Sequence, residues 1–128
     1  MDIEEVRAYC LSFPHATENV QWGNDLVFKL AGKMFAVAVL EGAAKYCLSF
    51  KCAEEKFAEL IEKDGIDPAP YSARYHWVAL ERFDVLSEKE LKELLRNAYD
   101  LVFATLPKKL KSELAFKNAI KREPDKRR

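Results

Sequence analysis

Residues 87–105 place the strongest constraint on what this chain can fold into. Leu91, Leu94, Leu95, Ala98, Tyr99, Val102 and Phe103 recur at alternating steps of three and one, which lays one continuous apolar stripe along a helix. Ser87 with Glu90 three residues on forms a capping box at its start, and Leu106-Pro107 breaks it. A long helix with one apolar face needs a broad apolar surface beneath it. The preceding chain supplies that surface as strands: Leu26–Leu30, Lys33–Glu41, Lys45–Phe50 and Tyr75–Glu81 are rich in β-formers and alternate in polarity. In the second, Phe35, Val37 and Val39 fall on one face and Met34, Ala36, Ala38 and Leu40 on the other. Both faces are apolar, as expected of a central strand.

Two shorter helices complete the pattern. Asp2 caps the first, with Glu5 as its partner and Ile3, Val6, Cys10 and Leu11 as the stripe, and Pro14 ends it. Residues 53–63 carry Phe57, Leu60 and Ile61 at helical spacing and stop at Asp64-Gly65. The stretch from His15 to Asp25 has no periodicity and reads as a loop that ends in the turn formers Trp22-Gly23-Asn24-Asp25. The order of elements makes an α+β domain with an antiparallel sheet and helices packed on it.

Length and composition fit one domain with its own core: 128 residues, 49% hydrophobic and 33% charged. No apolar run reaches the roughly 20 residues of a membrane helix, and the acidic start Met1-Asp-Ile-Glu-Glu5 is unlike a signal peptide, so no membrane partner and a cytoplasmic location are expected. Cys10, Cys47 and Cys52 are odd in number and form no CxxC pair, so they read as reduced thiols. His15 and His76 stand at no ligand spacing to a cysteine, and neither a metal nor another cofactor is expected. The zero net charge hides an asymmetry. Residues 1–107 hold 12 basic and 18 acidic side chains, and residues 108–128 hold 9 and 3. The split reads as a solvated basic terminus that offsets the body, the alternative being a basic arm for an anionic partner; within it Leu110 and Leu114 give Lys108–Ile120 only the narrow stripe of a further helix, and Arg122–Arg128 is expected to fray.

The richest chemistry lies in Pro68-Ala-Pro-Tyr-Ser-Ala-Arg-Tyr-His-Trp-Val78, a proline-held loop of aromatic and charged side chains that enters a strand. It holds no nucleophile motif, phosphate loop or dinucleotide fingerprint, so His76 reads as structural and no enzyme is expected.

Together, Glu18-Asn-Val-Gln-Trp-Gly23, Phe28-Lys29 ahead of Gly32-Lys33-Met34-Phe35-Ala36, Leu48-Ser-Phe-Lys51, Pro70-Tyr-Ser-Ala-Arg74, His76-Trp77-Val78 and Leu106-Pro-Lys-Lys109 resemble the MmcQ/YjbR family of small bacterial proteins. The resemblance spans residues 1 to about 112 and so implies a domain over 1–112 followed by a basic C-terminal extension over 113–128. It implies a frataxin-like (CyaY-like) α+β fold described as a double wing, and a DNA-binding label. Under that label Lys29, Lys33, Lys51 and Arg74 would contact phosphates, Tyr71 and Trp22 would offer stacking surface, and the basic tail would add nonspecific attraction. An excess of acidic groups in the body opposes this unless charges segregate in space. A protein-protein or small-ligand module is the competing class. There Trp22, Tyr71, His76 and Trp77 would form an apolar cleft, with Arg74 holding an anionic group. The frataxin analogy also raises iron at Glu18, Asp25 and the ridge Glu54, Glu55, Glu59 and Glu62, but the ridge reads as a solvated helix face.

Overall fold

The structure is a computed structural model that describes residues 1–40, 44–70 and 75–114. Along the chain run α1 (Ile3–Leu11), β1 (Ala16–Gln21), β2 (Asp25–Leu30), β3 (Lys33–Val39), β4 (Leu48–Lys51), α2 (Glu54–Leu60), β5 (Ile66–Pro68), β6 (Trp77–Leu80) and α3 (Glu88–Thr105). The six strands form one antiparallel sheet in the order β1-β2-β3-β4-β6-β5. This is the expected α+β class. Residues 108–114 are helical, and Leu110 and Leu114 pack against the core. Residues 115–128, most of the basic extension, lie outside the described residues.

Both capping motifs form as the sequence indicates. Asp2 Oδ1 accepts from Glu5 N at 2.8 Å and Glu5 Oε1 accepts from Asp2 N at 3.2 Å, which closes the box. Ser87 Oγ accepts from Glu90 N at 3.1 Å. Each motif satisfies helix N–H groups that would otherwise lack partners.

The helices all lie on one face of the sheet. Val6 and Cys10 of α1, Leu60 of α2, and Leu91, Leu94, Leu95, Ala98, Tyr99 and Val102 of α3 bury against Phe28, Leu30, Leu48, Phe50, Val78 and Leu80. Tyr99 ties the layers together. Its hydroxyl donates to Pro14 O at 2.7 Å, and its ring meets Phe13 at 5.0 Å and Phe35 at 5.7 Å.

The structure departs from the sequence reading in three places. Ala16–Gln21, read as loop, is the edge strand β1, whose alternation is invisible because none of its residues is fully buried. Ile66–Pro68 forms the second edge strand, too short and proline-ended to register as a strand from sequence. The third departure lies in β3, where the register against β2 slips between Phe28 and Lys29: Phe28 pairs with Ala36 and Lys29 with Met34. The extra residue, Phe35, therefore joins Ala36 and Ala38 on the helix side, while Val37 stays on the other. Strict alternation would have put Phe35 and Val37 together.

Gly65 precedes β5 with φ +86°, and a Cβ added there would lie 2.6 Å from Val85 Cγ1. Gly65→Ala is expected to cost about 2 kcal/mol, from left-handed strain plus displacement of Val85. A urea titration checks this, and a loss below about 0.5 kcal/mol, the size of a neutral surface change, would mean the turn relaxes freely.

Candidate binding groove

The opposite face of the sheet has a second apolar cluster and, among the described residues, no helix on it. Val27, Val37, Ala69, Trp77 and Ala79 are buried there, with Met34 and Tyr46 packed against them. Strand register explains why these residues meet. Val27 pairs with Val37, Val37 with Ser49, Ser49 with Ala79, and Ala79 with Asp67, which makes one transverse row across five strands. Paired residues of an antiparallel ladder point to the same face. The sheet is thus apolar on both faces, while the described helices cover one.

Over this row lies a groove of about 670 Å³. Val37, Ser49, Ala79 and Ala69 line its floor, and Trp22, Tyr46, Trp77, Met34 and Pro70 stand among its other lining residues. Asp25 and Lys45 are its charged members. Small floor residues between large aromatic ones are what make the surface concave.

The turn after β1 presents Trp22. Its backbone is left-handed, with φ 52°, followed by Gly23 at 88°, and the residue is 69% exposed. A bulky residue in that region costs roughly 1–2 kcal/mol. Strain of this kind concentrates at functional positions. Tyr46 is fixed more firmly: its hydroxyl donates to Asp67 Oδ2 at 2.7 Å, and Lys45 Nζ lies 4.0 Å from the same oxygen. The Asp67 hydrogen bond, with burial second, raises the Tyr46 phenol above its ordinary range and keeps it a neutral donor. Lys45 is raised too, by Tyr46 first and Asp67 after it.

The sequence candidates divide between the faces. Trp22 and Trp77 both line the groove. Lys51 pairs with Trp77 and Lys29 with Met34, so both lysines belong to the open face just beyond the groove. Lys33 turns the other way, with Nζ 3.5 Å from Thr105 Oγ1 at the end of α3. Trp22 and Lys33 also sit beyond opposite ends of β2, a six-residue strand roughly 20 Å long. His76 does not reach the groove. It has φ 64°, its ring packs on Phe57 of α2 at 5.6 Å, and its carbonyl accepts from Cys52 N and Cys52 Sγ. Tyr71 and Arg74 lie outside the described residues. Sequence reasoning missed Met34, Val37, Ser49 and Tyr46. The signal that could have found them was the second apolar face of β3, which no helix among the described residues covers.

Glu18 pairs with Arg7 at 2.8 Å, far from the ridge on α2, and no group of three or more His, Cys, Asp or Glu able to hold a metal occurs among the described residues. No helix among them is long and apolar enough to cross a membrane.

This arrangement defines a class: a small α+β domain whose antiparallel sheet is roofed by helices on one side and carries an open apolar groove on the other. The YjbR family model matches residues 11–101, and the chain belongs to that family. A crystal structure of the Deinococcus radiodurans protein DR2400, described as a DUF419 domain, matches with TM-score 0.78 and 27% identity, over 88% of this chain and 87% of that one. A Pseudomonas syringae protein solved as a structural-genomics target matches with TM-score 0.66 and 21% identity, over 79% of this chain and 98% of that one, which shows the shared fold. Comparison with curated proteins finds no match.

Proposed function

We propose that this YjbR protein is a non-enzymatic binding module that takes a small, flat, largely apolar ligand into the groove on the open face of its sheet. The observation that carries the reading is the groove itself: its 670 Å³ falls in the range of small-molecule sites, and its lining is apolar with a few polar groups at defined places. A flat ring can lie on the Val37, Ser49 and Ala79 floor, with Trp22 and Trp77 as aromatic contacts and Ser49 Oγ, Asp25 and Lys45 as polar ones. Lys29 and Lys51 give the same face a positive margin suited to an anionic substituent.

DNA binding, which the family resemblance implies, draws less support. Lys33 faces α3, so it does not join Lys29 and Lys51 in a phosphate-tracking stripe. The acidic excess of residues 1–107 also opposes a polyanion.

The test uses anilinonaphthalene sulfonate, a flat apolar anion, titrated against the native protein and read by probe and tryptophan fluorescence. A dissociation constant on the order of 10 μM is expected. Ser49→Trp, which fills the floor without touching the helix side, should weaken it at least tenfold with unchanged circular dichroism. Equal binding by both proteins would remove the groove reading. A duplex titration in parallel separates the alternatives: salt-sensitive DNA binding, lost on Lys29→Ala with Lys51→Ala but retained by Ser49→Trp, would replace it.

A further inference from the structure

The two edges of the sheet are built differently. β5 is three residues long, ends in Pro68 and is followed by Pro70, features that block strand addition. β1 is six residues long and pairs only with β2, so its outer N–H and C=O groups have no strand partner among the described residues. It contains no lysine, proline or bulge, the usual devices against edge pairing. Its one charge, Glu18, is already engaged by Arg7 Nε at 2.8 and 2.9 Å to the two carboxylate oxygens. Beside it Val20 stands 56% exposed.

From this we infer that β1 is an interaction edge whose partner is a second copy of the chain, paired antiparallel about a twofold axis through Asn19. The strand is self-complementary in that register. Thr17, Asn19 and Gln21 face the open side, because their β2 partners are Lys29, Val27 and Asp25, and Glu18 and Val20 face the helix side opposite Phe28 and Leu26. Pairing about Asn19 sets Asn19 against the second copy's Asn19, Thr17 against Gln21, and Glu18 against Val20. Uncharged hydrogen-bonding side chains then meet on one face, and on the other no like charges face each other. Only a register centred on a residue keeps the helices of both copies on the same side. The two six-stranded sheets become one continuous sheet with both grooves on its open face. A single strand pair buries less than the roughly 1,200 Å² of a standard stable interface, so the dimer is a weak, concentration-dependent one, with a dissociation constant on the order of 100 μM.

Sedimentation equilibrium of the full chain from low to high micromolar concentration should give a weight-average mass that rises from the monomer toward twice that value. Val20→Glu sets a carboxylate opposite the second copy's Glu18, and should raise the dissociation constant at least tenfold with unchanged thermal stability. Disulfide trapping reports the register. Directly opposed residues in an antiparallel pair have Cα atoms about 4.5–5.5 Å apart, within the span of a disulfide, whereas the two Thr17 residues would lie about 13 Å apart along the strand. Asn19→Cys should therefore cross-link to a covalent dimer under mild oxidation, and Thr17→Cys should not exceed wild type, whose Cys10 and Cys52 are buried and whose Cys47 is half-buried. A wild-type mass that stays monomeric at several hundred micromolar, or equal cross-linking at the two positions, would overturn the proposal.

Discussion

Replacing Phe35 by alanine is expected to destabilise the protein by about 3–5 kcal/mol, the largest loss expected from any single substitution considered. Phe35 is fully buried and occupies the extra position of the β3 irregularity, so its ring enters the helix-side core where regular alternation would have sent it toward the open face. There it meets Phe13 at 5.9 Å, Tyr99 at 5.7 Å and Phe28 at 6.3 Å, residues from the turn after α1, from α3 and from β2. Alanine would remove the ring shared by all three elements and leave a cavity their backbones cannot close without moving the sheet. Urea unfolding near neutral pH gives the value, with Val20→Ala as the exposed control, expected within about 0.5 kcal/mol of wild type. A Phe35→Ala loss under about 1 kcal/mol would mean that the ring packs on the open face and that the register is regular.

The same residue shows how far the fold could be read from the chain. Elements held by strong local codes were legible: α3 through its three-and-one spacing, both caps through the Asp2/Glu5 and Ser87/Glu90 pairs, and the four inner strands through their β-formers. Alternation fails where an inserted residue shifts the phase, as at Phe35, because nothing in Met34-Phe-Ala-Val37 marks which residue is the extra one. It fails again in β1, where Thr17, Glu18, Asn19, Val20 and Gln21 are all partly or well exposed and so no hydrophobic period develops. The candidate groove was half legible. Trp22 and Trp77 stood out as aromatics near turns, yet the floor between them depends on pairing across strands distant in sequence, Val37 with Ser49 and Ser49 with Ala79. His76 illustrates the opposite error, because alternation alone cannot show that a left-handed backbone turns its ring onto Phe57.

Raising the pH from about 8 to about 10.5 is expected to remove about 4 kcal/mol of stability through Cys10 and Cys52 alone. Both thiols are buried, and burial raises them from 9.0 to about 12 and about 11 respectively. Below pH 9 the native and unfolded chains both keep these protons, so the thiols add no pH dependence. Above it the unfolded chain releases them while the native core holds them, so unfolding is favoured increasingly until the pH passes the native values. At about 1.4 kcal/mol per pH unit, each group contributes about 2 kcal/mol over the window. Tyrosines and lysines titrate in the same range, so the measurement is a difference: urea unfolding of wild type and Cys10→Ala at both pH values. The variant loses stability at neutral pH through its cavity, but its alkaline decline should be shallower by about 2 kcal/mol. Equal declines would mean that Cys10 ionises as freely in the native state as in the unfolded one. Raised thiols are also poor nucleophiles at neutral pH, and none of the three cysteines lines the groove. The thiols of this chain thus sit in or against its helix-side core, apart from the groove on the open sheet face.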